Sequence, residues 1–222
     1  MPRKPSTRLT VSLAGFQRAV EAIAKAKNSF LPLELNRQML KVLVGAPGVK
    51  GLVHLTLRAL ESDIRADMAR VVTYSIRGGT PITARLSRVL AAQALYRQGG
   101  HITRAALEVM EKKIIDARVR SRAYMAASWL FSAFDLAKTV PGNTLNRQDN
   151  IPMTTQARKN KASDADSIPA TASRLKVTAF NTARGASKVA TRPIPTALNN
   201  ARLDMIKYLG KKFAKAVQAE RR

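Results

Sequence analysis

The sequence predicts a mainly α-helical protein with a minor β element (α+β), built as a helical body with a long extended arm. Three observations carry this expectation. Apolar residues recur at spacings of three and four through residues 12–138. Aromatic residues make up only 5% of the chain and much of the 45% hydrophobic content is alanine, which favours helices over sandwiches or barrels. After Pro141 the periodicity gives way to coil-forming residues.

Taken in order, the first expected helix covers 12–28, with Ser12 as N-cap and Leu13, Phe16, Val20 and Ile23 on one side. The second covers 33–44, after Pro32, and stops at Gly45-Ala46-Pro47-Gly48. The third covers 52–76, with Leu57, Leu60, Ile64, Met68, Val71 and Val72 forming its stripe, and ends at Arg77-Gly78-Gly79. Thr80 is read as the cap of a fourth helix over 81–97, with Pro81 in its first turn. A fifth, opened by Thr103, runs over 103–138 and carries Leu107, Met110, Ile114, Tyr124, Trp129 and Phe131. These elements make residues 1–139 the helical body.

Residues 140–195 are the expected extended basic arm. Between Ala137 and Pro195, 24 of 59 residues are Ser, Thr, Asn, Pro or Gly, too coil-rich for an independent core. One strand is expected near 174–181, where Leu175, Val177 and Ala179 alternate with Lys176 and Thr178. Such an arm would be mobile in a monomer and ordered by neighbouring subunits. The chain then closes with a helix over 196–219, whose apolar stripe packs residues 196–222 back on the body.

Charge narrows the function. The 222 residues hold 39 Lys+Arg against 14 Asp+Glu, a formal net charge of +25. The excess calls for a polyanion, an acidic protein surface or a large assembly. It is spread evenly: +5 over 1–30, +8 over 31–136, +7 over 137–195 and +5 over 196–222. A dedicated nucleic-acid tail would instead set a dense basic block beside a neutral core. With no cysteine there is no disulfide scaffold, thiol catalysis or thiolate zinc site, and two histidines leave little for imidazole chemistry. The N-terminal apolar run Val11–Phe16 is too short for a secretory signal, and the longest uncharged run, 123–134, is too short to span a bilayer. No membrane association is expected.

Candidate chemistry is sparse. Gly45-Ala46-Pro47-Gly48-Val49-Lys50-Gly51 has the composition of a phosphate loop but lacks its spacing and closing hydroxyl, so a helix-breaking turn is expected. Asp63 and Asp67 share a helical face and could hold Mg²⁺, yet Arg65 follows Glu61 by four residues, and ion pairing with Arg58 and Arg70 nearby explains the cluster. His54 and His101 stand in no ligand spacing. Lys112, Lys113, Arg118, Arg120 and Arg122 make the most basic helical stretch. It reads equally as a set of phosphate contacts or as a solvated face paired to Glu108, Glu111 and Asp116. Lys112, Lys113, Arg118, Arg122 and, in the arm, Arg158, Lys159 and Lys161 are the candidate contacts to phosphate or an acidic partner. Tyr124, Trp129, Phe131 and Phe134 are core by default and candidate subunit-interface anchors otherwise. No catalytic constellation, metal or cofactor is expected, and the chain does not read as an enzyme.

Three stretches resemble the neck and tail-completion (head–tail joining) structural proteins of tailed bacteriophages. Arg120-Ser121-Arg122-Ala123-Tyr124-Met125-Ala126-Ala127-Ser128-Trp129-Leu130 is similar to their basic-aromatic helix segment, and Val177–Gly185 to a strand ending in an Asn-x-Ala turn. Ala197–Lys211, with Asp204-Met205 and Tyr208, resembles their C-terminal helix. The resemblance covers the second half of the chain. It implies a non-enzymatic virion protein, made in the host cytoplasm and placed at the head–tail junction or tail end. There it would form a homo-oligomeric ring around the DNA passage, beside portal-proximal or tail proteins and with non-specific DNA contact. The alternative is a basic nucleic-acid-binding protein of a ribonucleoprotein or nucleoid particle, whose extensions are ordered by the partner.

Overall fold

The computed structural model describes residues 7–11, 30–76, 78–142, 145, 157–160, 167–189 and 191–220. The expected helix over 12–28 lies outside the described residues. The chain is mainly helical with a few short antiparallel strand pairs. In order it forms β1 (Thr7–Val11), α1 (Phe30–Val44), β2 (Gly45–Ala46), β3 (Val49–Lys50), α2 (Leu52–Ala69), β4 (Val71–Tyr74) and β5 (Ile82–Arg85). There follow α3 (Leu86–Arg97), α4 (Arg104–Arg122), α5 (Tyr124–Ala127), α6 (Trp129–Ala137), β6 (Ser167–Ile168), β7 (Val177–Asn181) and α7 (Ile194–Glu220). Contacts divide it into two compact units, Met1–Leu57 with Tyr124–Arg222, and Arg58–Ala123.

The first unit is organised around β7. It is the middle strand of an antiparallel sheet ordered β1-β7-β6, paired from Thr7↔Asn181 to Val11↔Val177 on one side and Ser167↔Ala179 to Ile168↔Thr178 on the other. Helices α1 and α6 pack on each other and on β7, and α7 packs on α1. Leu35, Met39, Leu43, Leu52, Trp129, Leu136, Val177, Ala197 and Met205 share one buried cluster. Ala127, Leu130, Phe131, Phe134 and Ala157 form a second. Because Val177, Thr178, Ala179 and Asn181 are all buried, β7 lacks the one polar face that its alternating sequence suggests.

Of the expected arm, residues 143–144, 146–156, 161–166 and 190 lie outside the described residues, and the part over 167–189 packs within its own subunit. Residues 167–189 contribute two strands and the buried Ala170, Ala183 and Ala186 to the core of their own subunit. The small side chains that argued against an independent core are the ones that let β7 lie close against α1 and α6. Buried polar side chains also fix the segment. The Asn36 amide in α1 donates to the Ala170 carbonyl at 3.2 Å and accepts from the Ala170 N–H at 2.7 Å, as a neighbouring strand would.

Helix boundaries differ from expectation where strands or tertiary bonds compete. Helix α1 begins at Phe30, upstream of Pro32, because a first-turn proline gives up an N–H that has no intrahelical acceptor. It ends at Gly45 (φ 102°), and Pro47-Gly48 (Gly48 φ 77°) turns the short β2–β3 ribbon. A Cβ at Gly51 would lie 2.3 Å from the Gly45 nitrogen, so this position requires glycine for close backbone approach. The glycines that mimic a phosphate loop therefore answer to backbone demands.

Helix α2 stops at Ala69 rather than continuing to 76. The β-branched and aromatic run Val71-Val72-Thr73-Tyr74 pairs instead with Ile82-Thr83-Ala84-Arg85, across a connection containing Gly78 and Gly79. Thr80 and Pro81 precede β5, and α3 starts only at Leu86, whose N–H donates to the Arg70 carbonyl at the base of the ribbon (2.8 Å). In this second unit Leu60, Ile64 and Met68 bury one face of α2, and α3 packs on α4. Thr103 caps α4, accepting from the Ala106 N–H at 3.2 Å.

The single helix expected over 103–138 is three helices, interrupted at Ala123 and Ser128. At the second break the Asn181 Nδ2 donates to the Met125 carbonyl at 2.8 Å, and the Ser128 hydroxyl donates to Asn181 Oδ1. A strand residue thus takes hydrogen bonds that would otherwise extend the helical ladder.

Candidate functional site

The aromatic candidates lie in the first unit and are used internally. Trp129, Phe131 and Phe134 are buried in its two apolar clusters. The Tyr124 hydroxyl donates to the Arg184 carbonyl at 3.0 Å, joining α5 to the segment after β7. Trp129, Phe131 and Phe134 are thus core side chains within one chain, the default expectation, and Tyr124 is half-buried against the same clusters. Their spacing on a nearly all-apolar segment reflects a helix covered on several sides.

The basic candidates fall on both units. Lys112, Lys113 and Arg122 are exposed on α4, and the half-buried Arg118 shares the face of Arg122. Arg158, in the first unit, lies over the Phe131 ring at 6.0 Å, and Lys159 beside it is exposed. Lys161 lies outside the described residues.

Ion pairs in the second unit partly follow the helical spacing. Glu61 binds Arg65 at 2.7 Å, and Glu108 binds Arg104 at 3.2 Å rather than Lys112. Asp67 sits between two arginines: Arg70 Nε and Arg118 Nη1 each lie 3.8 Å from one of its oxygens. One carboxylate cannot balance both guanidiniums, and contacts this long between exposed groups are easily exchanged for another anion. Among the described residues, no three His, Asp or Glu side chains gather as a metal site.

Sequence reasoning missed the β4–β5 ribbon and with it the position of Arg70 and Arg85. Register puts Val71 opposite Arg85 and Thr73 opposite Thr83, and all four are exposed. The other face, with Val72 and Ala84, is half-buried where the strands meet α3. The available signal was the pair of β-branched runs on either side of Gly78-Gly79. Segment 58–123 also contains eleven arginines and only two lysines.

One polar cluster in the first unit is structural. Glu34, almost fully buried on α1, accepts from Gln38 Nε2 at 2.7 Å and Arg37 Nη1 at 3.0 Å. Burial, and then the negative charge of Glu34, push the Tyr208 hydroxyl above its ordinary 10.0, with Arg37 opposing. The cluster ties α7 to α1. No helix among the described residues is long and apolar enough to cross a membrane. No protein-family model, curated protein or solved structure matches the chain.

Proposed function

We propose that the chain is a non-enzymatic structural protein of a tailed-bacteriophage virion, part of the head–tail connector (neck) or tail-completion ring around the DNA passage. One observation carries the reading. The larger part of the first stretch, from Tyr124 on, packs in one unit with the other two stretches that resemble this family. Tyr124 bonds to Arg184, Asn181 bonds to Met125 and Ser128, and Ala197 and Met205 share the cluster that holds Trp129 and Val177.

Charge and surface add support. A positive excess spread along the whole chain suits a protein set among anionic neighbours. The second unit also leaves Val71, Ile82, Ile102 and Val109 exposed, and none of the nineteen residues of α4 is fully buried. Exposed apolar side chains of this kind suit a protein that packs against partners. On this reading the chain forms a homo-oligomeric ring and binds portal-proximal or tail proteins.

The alternative, a nucleic-acid-binding protein of a ribonucleoprotein or nucleoid particle, draws on the arginine-rich second unit. Purification from the producing host separates the two. Co-purification with portal and tail proteins after nuclease treatment supports the virion reading. Co-purification with RNA instead, lost as salt rises, overturns it.

A further inference from the structure

We propose that the outer face of the β4–β5 ribbon, with Arg70, Arg85 and Arg118 at its base, is a contact surface for the phosphate backbone of duplex DNA. The proposal deepens the reading of the chain as part of a DNA passage by naming the surface that meets the DNA.

The geometry begins with the ribbon. Its outer face presents Val71, Thr73, Thr83 and Arg85, all exposed, while α3 supports the opposite face. A two-stranded ribbon alone is marginal in water, so the helix behind it makes it a usable platform. Strands of four residues span about 13 Å, and two strands lie about 5 Å apart before side chains are added. A ribbon of this size is narrow enough for the major groove of B-form DNA, about 12 Å wide.

Charge converges at the base of the ribbon. Arg70 immediately precedes β4, and its carbonyl is bonded to Leu86, the residue after Arg85. Arg118 reaches the same place from α4, since it and Arg70 both approach Asp67 at 3.8 Å. The Arg70 and Arg118 guanidiniums therefore share a single carboxylate, and Arg85 stands opposite Val71, the residue after Arg70. The side chain of Arg70 is 65% exposed and that of Asp67 52%, so water already competes for these pairs and a phosphate can replace the carboxylate.

The residue types favour phosphate over an acidic protein. Arginine outnumbers lysine eleven to two within 58–123, whereas elsewhere the chain has twelve arginines and fourteen lysines. The planar guanidinium fork suits the paired oxygens of a phosphodiester, and threonine hydroxyls donate to the same groups. The exposed Val71 offers an apolar contact of the kind made to thymine methyl groups.

The test compares full-length protein with an Arg70→Gln/Arg85→Gln variant by fluorescence anisotropy on a labelled DNA duplex over a range of salt. An Arg174→Gln/Lys188→Gln variant removes the same charge from exposed positions of the first unit. The ribbon variant should lose roughly tenfold or more in affinity, and its log–log salt slope should flatten by about 2, close to one unit per phosphate contact. The control should change neither by as much. Thr73→Glu, which leaves every arginine in place, should weaken binding as well, and circular dichroism establishes that each variant is folded.

Equal losses in the ribbon variant and the control would mean diffuse attraction and overturn the proposal. So would displacement of the ribbon from DNA by polyglutamate at equal charge concentration, which would point to an acidic protein partner. Particle size, measured in parallel, is an independent readout. Intact rings with unchanged DNA binding would sink the ribbon surface alone, while ribbon-dependent DNA binding without rings would sink the assembly reading alone.

Discussion

Ser132 satisfies both backbone groups of Phe180: its hydroxyl donates to the Phe180 carbonyl at 2.8 Å and accepts from the Phe180 N–H at 3.0 Å. Among the described residues β6 pairs with β7 as far as Ala179, and at the next residue a helix side chain bonds the strand. Ser132→Ala removes the hydroxyl from both of these bonds, at a cost of about 1–3 kcal/mol. Urea denaturation should show a lower midpoint with an unchanged slope. A shift smaller than about 0.5 kcal/mol would mean that water or a relaxed strand replaces the hydroxyl.

Trp129 is fully buried, yet its indole Nε1 has no hydrogen-bond partner among the described residues. Trp129→Ala should cost about 3–5 kcal/mol through lost burial and the cavity left behind. Trp129→Phe leaves a smaller cavity and removes an unsatisfied donor, so it should cost less than half as much. Equal destabilisation by the two changes would show that the indole N–H makes a bond essential to the fold.

Gly51 and Gly48 separate two reasons for glycine in one motif. At Gly48 the backbone is left-handed but a Cβ meets nothing within 4 Å, so Gly48→Ala should cost about 1–2 kcal/mol. At Gly51 a Cβ would come within 2.3 Å of the Gly45 nitrogen and 2.4 Å of the Val44 carbonyl carbon. Gly51→Ala should therefore lower thermal stability clearly more than Gly48→Ala. The reverse order would indicate that the β2–β3 turn, and not the close approach, sets the requirement.

Tyr208 gives a pH dependence with a defined sign. Burial and Glu34 raise its folded pKa above the ordinary 10.0, so the folded state holds the proton more tightly than the unfolded state. This contribution is fully present below pH 10 and is lost as pH rises through the raised value. Tyr208→Phe should flatten the decline in stability above pH 10 relative to the unaltered protein. Parallel pH profiles for the two proteins would contradict the assignment.

Much of the helical body is legible because its signals are local. The Leu60–Ile64–Met68 stripe, the Thr103 cap and the Gly45 stop each act within a turn of the residues they organise. What is not legible depends on distant partners. Val71 and Val72 continue the helical stripe of α2 and also suit a strand, and only pairing with residues 82–85 decides between them. No glycine or proline marks the break at Ser128, which is made by Asn181 from 53 residues away. Residues 167–189 read mostly as coil because the packing of Ala170, Ala179, Ala183 and Ala186 shows only once α1 and α6 are in place. For the same reasons the face shared by Arg118 and Arg122 is visible in sequence, while the meeting of Arg70 and Arg118 at Asp67 is not.

The central claim is that the chain works as a ring of identical subunits, and the mass and shape of nuclease-treated protein test it most directly. Light scattering together with negative-stain electron microscopy should give closed rings with a central opening, at a whole-number multiple of the 24.3 kDa subunit. The particles should persist after nuclease treatment, since protein contacts hold them together. A single-subunit mass at every concentration tested, with no ring in the presence of virion partner proteins, would contradict the account.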